Sequence, residues 1–410
     1  MSKDAQKGPG TDSVPVPLLD VPAGNAPLLP EILAAIEKVC RSGWFCLGPE
    51  VQRLEEGMAE LCGTRFGIGC ASGSDALLLS LMAIDIQPGD EVIVPSFTFF
   101  ATASAITRLG AKPVWVDIDP ITFNIDAELV EAAVTPATRA VIPVHLFGQC
   151  ADMDRINRIA NRHGLTVIED AAQSHGAKLH SRACGSLGDM GCFSFYPTKN
   201  LGGFGDGGML VTSDETLAER LRLLRGHGMQ PRYYHKIVGV NSRLDAIQAA
   251  ALNVKLPHLG VWSDQRRANA DRYHQLLTEA GLADTLGLPV TLPGREHVWN
   301  QYTLRVPDGH RDGLRQYLTE RKIGSEIYYP VALHQQECFR EMGFGEADLP
   351  ETERATREVL HLPIFPELTA EQQRSVVAGI AGFFADEVES SMPIVKTPNF
   401  VHDAQQRRSA

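Results

Sequence analysis

The chain has 410 residues, of which 44% are apolar, and a formal net charge of −12. Its length predicts two or three domains with a sizeable core, and its acidic balance excludes a nucleic-acid partner, which needs a basic footprint. It has no apolar run long enough to span a membrane, no signal-like N-terminus and no CxxC pair among its eight cysteines, which predicts a cytoplasmic protein with reduced core thiols and no metal site.

Residues 1–17 are rich in Gly, Pro, Ser and Lys and read as a disordered tail. A large domain is expected over 18–250. Leu29, Ile32, Leu33, Ile36 and Val39 recur at helical spacing, and "SGWFCLGPE" (Ser42 to Glu50) ends that helix. Short apolar runs at Glu91–Val94, Pro113–Asp117, Ala140–Val144, Thr166–Glu169, Cys192–Phe195 and Gly208–Thr212 read as strands. Helical stretches such as Asp75–Ile84 and Asp152–His163 fall between them. The alternation predicts an α/β domain with a largely parallel sheet, whose ligands bind beyond the carboxyl ends of the strands. A smaller α+β domain is expected over 251–386. It has "QYTLRV" and "EIYYPV" as strand candidates, and helix, loop and helix from Pro350 to Ala385. Residues 387–410 read as a second tail.

The stretch "FSFYPTKNLGGFGDGG" (Phe193 to Gly208) sets Lys199 before a glycine cluster. Gly203, Gly205 and Gly208 satisfy GxGxxG, but a dinucleotide loop must open a helix, and these glycines run into the strand-like "GMLVT". A P-loop lysine follows its glycines, whereas Lys199 precedes them. What remains is a lysine that carries a cofactor, or a surface lysine beside an ordinary glycine turn.

Three other stretches bear on that choice. "VIEDAAQSHGA" ends a strand with Glu169 and Asp170. Asp170 is placed either to face a ligand crevice or to cap a helix starting at Ala171. "CASGSDALLLSLMAI" sets Ser72, Gly73 and Ser74 at a helix start, where free amides favour an anion. Ser74 is placed to cap that helix, to bind a phosphate, or both. "VPSFTFFATASAI" brings Phe97, Phe99 and Phe100 to another strand end, where one or two of them belong to the core. A phosphate cradle, a carboxylate, an aromatic face and a lysine together meet the needs of pyridoxal phosphate (PLP). A carboxylate beside the pyridine nitrogen favours its protonated form.

With these motifs in order, and with "GVNSRLDAIQAA" and "LPIFPELTAEQ" after them, the chain resembles the DegT/DnrJ/StrS family of PLP-dependent sugar aminotransferases from about Pro17 to Phe384. The resemblance implies a fold-type I enzyme: a large domain with a mostly parallel seven-stranded sheet, and a smaller C-terminal domain. It implies that Lys199 forms the Schiff base and shuttles the proton, that Asp170 partners the pyridine nitrogen, and that Gln173 lies near the ring hydroxyl. Phe99 stacks on the ring, and Gly73, Ser74 and Ser194 hold the phosphate. Asn241 reaches the phosphate of a partner subunit, which implies a homodimer. Read from spacing alone, Ser242-x-x-Asp245 is a capping box. Lys199 separates the chain from family members in which histidine replaces the lysine and the reaction is dehydration.

The implied reaction moves an amine from L-glutamate to a nucleotide-linked keto-sugar. "RYYHKIVGVNSRLD" and "GQCADM" resemble the UDP-2-acetamido-2-deoxy-3-oxo-glucuronate aminotransferases, which implies amination at C3. A C4 aminotransferase is the rival within the class, and a non-catalytic PLP-binding regulator the rival outside it. In that setting Arg232 faces a uronate or a diphosphate, or else is a solvated loop charge. Tyr329 and His334, in "IYYPVALHQQ", resemble the segment that closes over the sugar. Tyr328 stands where histidine is common.

Overall fold

The computed structural model describes residues 15–391. Of the tails expected at 1–17 and 387–410, residues 1–14 and 392–410 lie outside the described residues, and residues 387–391 continue the last helix instead. Residues 15–17, grouped with the first tail on composition, are part of the packed body. Val16 is 1% exposed, and its amide donates to Lys322 while its carbonyl accepts from Gly324.

Seven strands form the main sheet: β1 (Phe66–Cys70), β2 (Glu91–Pro95), β3 (Lys112–Val116), β4 (Thr138–Val141), β5 (Thr166–Asp170), β6 (Met190–Ser194) and β7 (Gly208–Thr212). Their order is β1-β7-β6-β5-β4-β2-β3. The pairs β2–β3, β2–β4, β4–β5 and β5–β6 are parallel. Only β7 runs against its neighbours, β6 and β1. This is the expected mostly parallel sheet, and the glycine cluster lies in the strand–turn–strand setting that excluded a dinucleotide loop. β1 escaped the sequence reading because "FGIGC" carries two glycines, which weaken a strand pattern. Gly67 is required there, since a Cβ would lie 2.3 Å from the carbonyl oxygen of Glu55.

The helices around the sheet are α1 (Leu29–Ser42), α2 (Pro49–Cys62), α3 (Gly73–Ala83), α4 (Phe100–Arg108), α5 (Met153–His163), α6 (Glu215–Leu224) and α7 (Ala246–Lys255). α1 ends at Gly43, a left-handed cap at φ 69°. The sheet is buried on both faces, by Phe193, Met209 and Val211 on one and Ile68, Ile168 and Leu210 on the other.

α8 (Leu259–Glu279) leads into the smaller part, with β8 (Tyr302–Arg305), α9 (Arg311–Glu320), α10 (Pro350–Glu358), β9 (Val359–Leu362) and α11 (Ala370–Ser391). β8 pairs with β9. β9 occupies part of the loop expected after Pro350. Its four residues are buried throughout, so no alternation marks it in the sequence. "EIYYPV" forms no strand. Only Glu326 pairs, with His361, and Pro330 has no N–H for a ladder. The core of this part is continuous with residues at the strand ends of the main sheet, among them Phe97, Phe123, Val144 and Phe147.

Polar contacts pin the small part over the ends of β2 and β3. Trp115 Nε1 donates to the Phe344 carbonyl at 2.7 Å. Asp117, just past β3, accepts from the amides of Glu351 (2.9 Å) and Thr352 (2.7 Å) and so caps α10 across the fold. Leu349, the residue before α10, makes no side-chain cap of its own. Among the described residues no helix is long and apolar enough to cross a membrane. Asp117→Ala is expected to cost about 1–3 kcal/mol by leaving buried amides unpaired. A lowered urea midpoint checks this, and an unchanged midpoint contradicts it.

Candidate active site

β5 delivers Glu169 and Asp170 to opposite sides because side chains alternate along a strand. Glu169 goes into the frame. Its oxygens accept from His145 Nε2 (2.7 Å) and from the amides of Gly185 (2.7 Å), Leu187 (2.7 Å) and Gly188 (2.6 Å). His145 Nδ1 accepts from the Ala151 amide at 3.1 Å, so its ring proton is on Nε2, directed at Glu169.

Asp170 goes to the cleft. Its side chain accepts from Thr102 Oγ1 at 2.8 Å and from the Ala172 amide at 3.2 Å. Its backbone is held by the Pro143 carbonyl and the His145 amide. Burial pushes the carboxyl above its ordinary range, opposed by Thr102, Ala172, Lys199 and His145. Of the two placements open to Asp170, the helix cap is not realised; residues 171–177 make turns, and Gly176 sits at φ 81°. Asp170 holds its own turn through Ala172 rather than a helix.

Lys199 follows β6 in a turn closed by its amide on the Tyr196 carbonyl and by the Gly203 amide on the Phe195 carbonyl. The glycines after it permit close approach. A Cβ on Gly202 would lie 2.3 Å from the Pro197 oxygen, and one on Gly208 would lie 2.3 Å from the Ser72 oxygen. The chain doubles back on the lysine's own turn and then passes under the start of α3. Lys199 is half-buried. Burial pulls its amine from 10.5 to about 8, and the Asp170 carboxylate opposes the shift. His175, against Phe193 and Phe195, is held neutral. Burial, then Lys199, lowers it to about 3.

The start of α3 is the anion cradle. Ser72, not Ser74, caps the helix, accepting from the Asp75 amide at 3.1 Å. Ser74 is exposed and free for a ligand at the helix N-terminus. Gly73 packs on Ser194, where a Cβ would lie 2.6 Å from the Ser194 Cβ. Ser242 does not begin a capping box. α7 starts only at Ala246, and the Ser242 hydroxyl accepts from the Ala71 amide (3.1 Å) and donates to Asp75 (2.7 Å). Asn241 is therefore exposed beside the cradle.

The aromatic wall divides as expected. Phe97 is buried with Phe123 and Phe147, whereas Phe99 is 57% exposed at the start of α4, its ring 6.3 Å from that of Tyr329. Gln173 accepts from the Phe147 amide at 2.6 Å and donates to the Tyr329 hydroxyl at 3.3 Å. Burial, then Asp170, pushes the Tyr329 phenol up, so it stays protonated.

The other two expected substrate residues differ in exposure. His334 is 2% exposed. Its Nδ1 meets Ser96 Oγ at 2.8 Å and its Nε2 lies 3.6 Å from Glu353, so it locks the small part to β2 and has no open face for a sugar. Arg232 is on an exposed loop, its guanidinium 4.9 Å over the Tyr233 ring. Thr102, His145 and His175 are the site residues that sequence reasoning missed. Thr102 lies one turn into the helix that Phe99 precedes, which was the available signal.

These residues fit PLP. A buried carboxylate with no salt-bridge partner among the described residues suits a cationic ring nitrogen, an amine near pKa 8 suits covalent attachment, and the start of α3 presents backbone amides to a phosphate. In cofactor-free protein, competitive labelling with acetic anhydride is expected to show Lys199 titrating near 8. Asp170→Asn removes the opposing charge and moves that midpoint lower. A midpoint near 10.5 contradicts the burial argument.

The profile of the DegT/DnrJ/EryC1/StrS aminotransferase family matches residues 28–381. The chain is 53% identical to a Geobacillus stearothermophilus protein named pleiotropic regulatory protein, over 90% of this chain and 98% of that one. It is 46% identical to the UDP-N-acetyl-3-dehydro-alpha-D-glucosamine 3-aminotransferase of Acidithiobacillus ferrooxidans, over 88% and 96%. With the UDP-2-acetamido-2-deoxy-3-oxo-D-glucuronate aminotransferase of Pseudomonas aeruginosa the identity is 41%, over 89% and 99%, so likeness does not single out the glucuronate branch. The structure of S. venezuelae DesV superposes with a TM-score of 0.86 at 44% identity, covering 90% of this chain and 98% of that one. Bacillus subtilis NtdA, solved with bound cofactor PMP, gives 0.85 at 33%, covering 93% and 87%. The chain belongs to the DegT/DnrJ/EryC1/StrS aminotransferase family and is a PLP-dependent enzyme with the fold-type I architecture.

Proposed function

We propose that this enzyme transfers the amino group of L-glutamate to C3 of a nucleotide-linked 3-keto sugar. The observation that carries the reading is the pairing of Lys199 with the buried Asp170 carboxylate beside the exposed ring of Phe99. PLP, when bound, supplies the carbonyl that takes up the amine and a ring that accepts the electrons released at the substrate carbon.

Lys199 attaches the cofactor and then carries the proton, as base and as acid. Burial lowers its amine to about 8, which raises the share of neutral amine at pH 7. Asp170, oriented by Thr102 and Ala172, keeps a negative charge against the ring nitrogen. Phe99 would cover the ring face, Gln173 and Tyr329 would close the edge beside Asp170, and Gly73, Ser74 and Ser194 would hold the phosphate. Asn241 serves the phosphate of a partner subunit in a homodimer, in keeping with its exposure. Arg232 offers its guanidinium to the sugar's diphosphate or carboxylate.

The position on the sugar rests on two relatives whose names carry a 3-dehydro or 3-oxo group. The relative named as a regulator favours a second reading, in which PLP binding serves signalling.

The test is a panel of 3-keto and 4-keto sugars on UDP and dTDP, with L-glutamate as donor and 2-oxoglutarate as readout. The expected result is 2-oxoglutarate in step with a 3-amino sugar. Turnover with 4-keto sugars alone overturns the C3 assignment, and none with any sugar favours the regulator. Lys199→Ala is expected to abolish turnover while the thermal midpoint stays within a few degrees; sustained turnover would remove the lysine from the mechanism.

A further inference from the structure

Lys255, the last residue of α7, is 5% exposed. Its Nζ donates to the Gly202 carbonyl at 2.5 Å and lies 5.8 Å from the Phe204 ring centroid and 5.9 Å from that of Trp262. Burial alone pulls its amine to about 8. Burying an ammonium is costly, and a methionine would fill the same space without that cost. What the amine adds is a fixed donor on one carbonyl, and that carbonyl belongs to the turn carrying Lys199.

Gln248, two helical turns earlier and on the same face of α7, holds the next part of the turn. Its Oε1 accepts from the Phe204 amide at 2.8 Å, and a Cβ on Gly203 would lie 2.9 Å from the same oxygen. Asn200 is tied on the other side, its Nδ2 donating to the Val298 carbonyl at 2.9 Å. The turn has no helix or ladder of its own between Pro197 and Gly207. Its glycines make it permissive, so its shape is set from outside. Thr198, Lys199, Lys255 and Trp262 line one small cavity behind the turn.

We propose that Lys255, together with Gln248, is a positioning residue that clamps the glycine turn and thereby fixes the reach and direction of the Lys199 amine. The proposal rests on Lys199 being the cofactor lysine. A misplacement of about 1 Å costs a catalytic group on the order of 100-fold, so a clamp on the turn has kinetic weight without touching substrate.

The test is Lys255→Met in the PLP-loaded enzyme, with Lys255→Arg as the variant that keeps a cationic donor. In the Met variant the visible circular dichroism of the lysine-bound cofactor is expected to change. The rate of the glutamate half-reaction is expected to fall about 10- to 100-fold with little change in KM for glutamate. The Arg variant is expected to recover both signals in part. A folded Met variant with wild-type dichroism and rate overturns the proposal, whatever its thermal midpoint. If the Met variant fails to fold, Gln248→Met carries the same test, with the same expected and contradicting results. Loss of the visible band in Lys199→Ala, measured alongside, keeps failure of the clamp separate from failure of the lysine assignment.

Discussion

The site depends on a carboxylate that the fold holds where a carboxylate is costly. Asp170 is buried at the end of a central parallel strand, with Thr102 and one amide as its hydrogen-bond donors. Burial raises its carboxyl, and the penalty for such a group is several kcal/mol unless a cation shares its space. Lys199 supplies part of that compensation, and a protonated ring nitrogen supplies more. The same burial lowers Lys199. One desolvated crevice therefore pushes an acid up and a base down.

The frame keeps the two acids of β5 apart. Glu169 receives four donors and is satisfied inside the protein, while Asp170 keeps a site open toward the cleft. His145 links them. Its ring meets Glu169, its amide holds the Asp170 carbonyl, and its own carbonyl accepts the Ser174 hydroxyl at 2.6 Å. The turn that carries Gln173 is thus braced by the same residue that braces Asp170.

Much of this was legible in the sequence, for identifiable reasons. Six of the seven sheet strands show as short β-branched runs, the lysine and its glycines are adjacent in the chain, and the acid stands at the end of a strand-like run. β1 and β9 were not legible, because glycines dilute one and continuous burial removes the alternation of the other. The caps lie two or three residues from the places the spacing offered. Ser72 rather than Ser74 begins α3, and Ser242 leaves its expected helix to hold Asp75. His334 looked like a substrate residue, yet it is spent on Ser96 across 238 positions of sequence, a pairing that no local pattern reveals. His145 and Lys255 were silent for the same reason.

The most direct measurement is an absorption spectrum of the PLP-loaded protein before and after L-glutamate. The visible band of a lysine-bound cofactor, bleached on adding glutamate and restored by 2-oxoglutarate, is the predicted result. A protein that shows no such band after incubation with PLP, or a band that glutamate leaves unchanged, would contradict the assignment of Lys199 and Asp170 as the working pair.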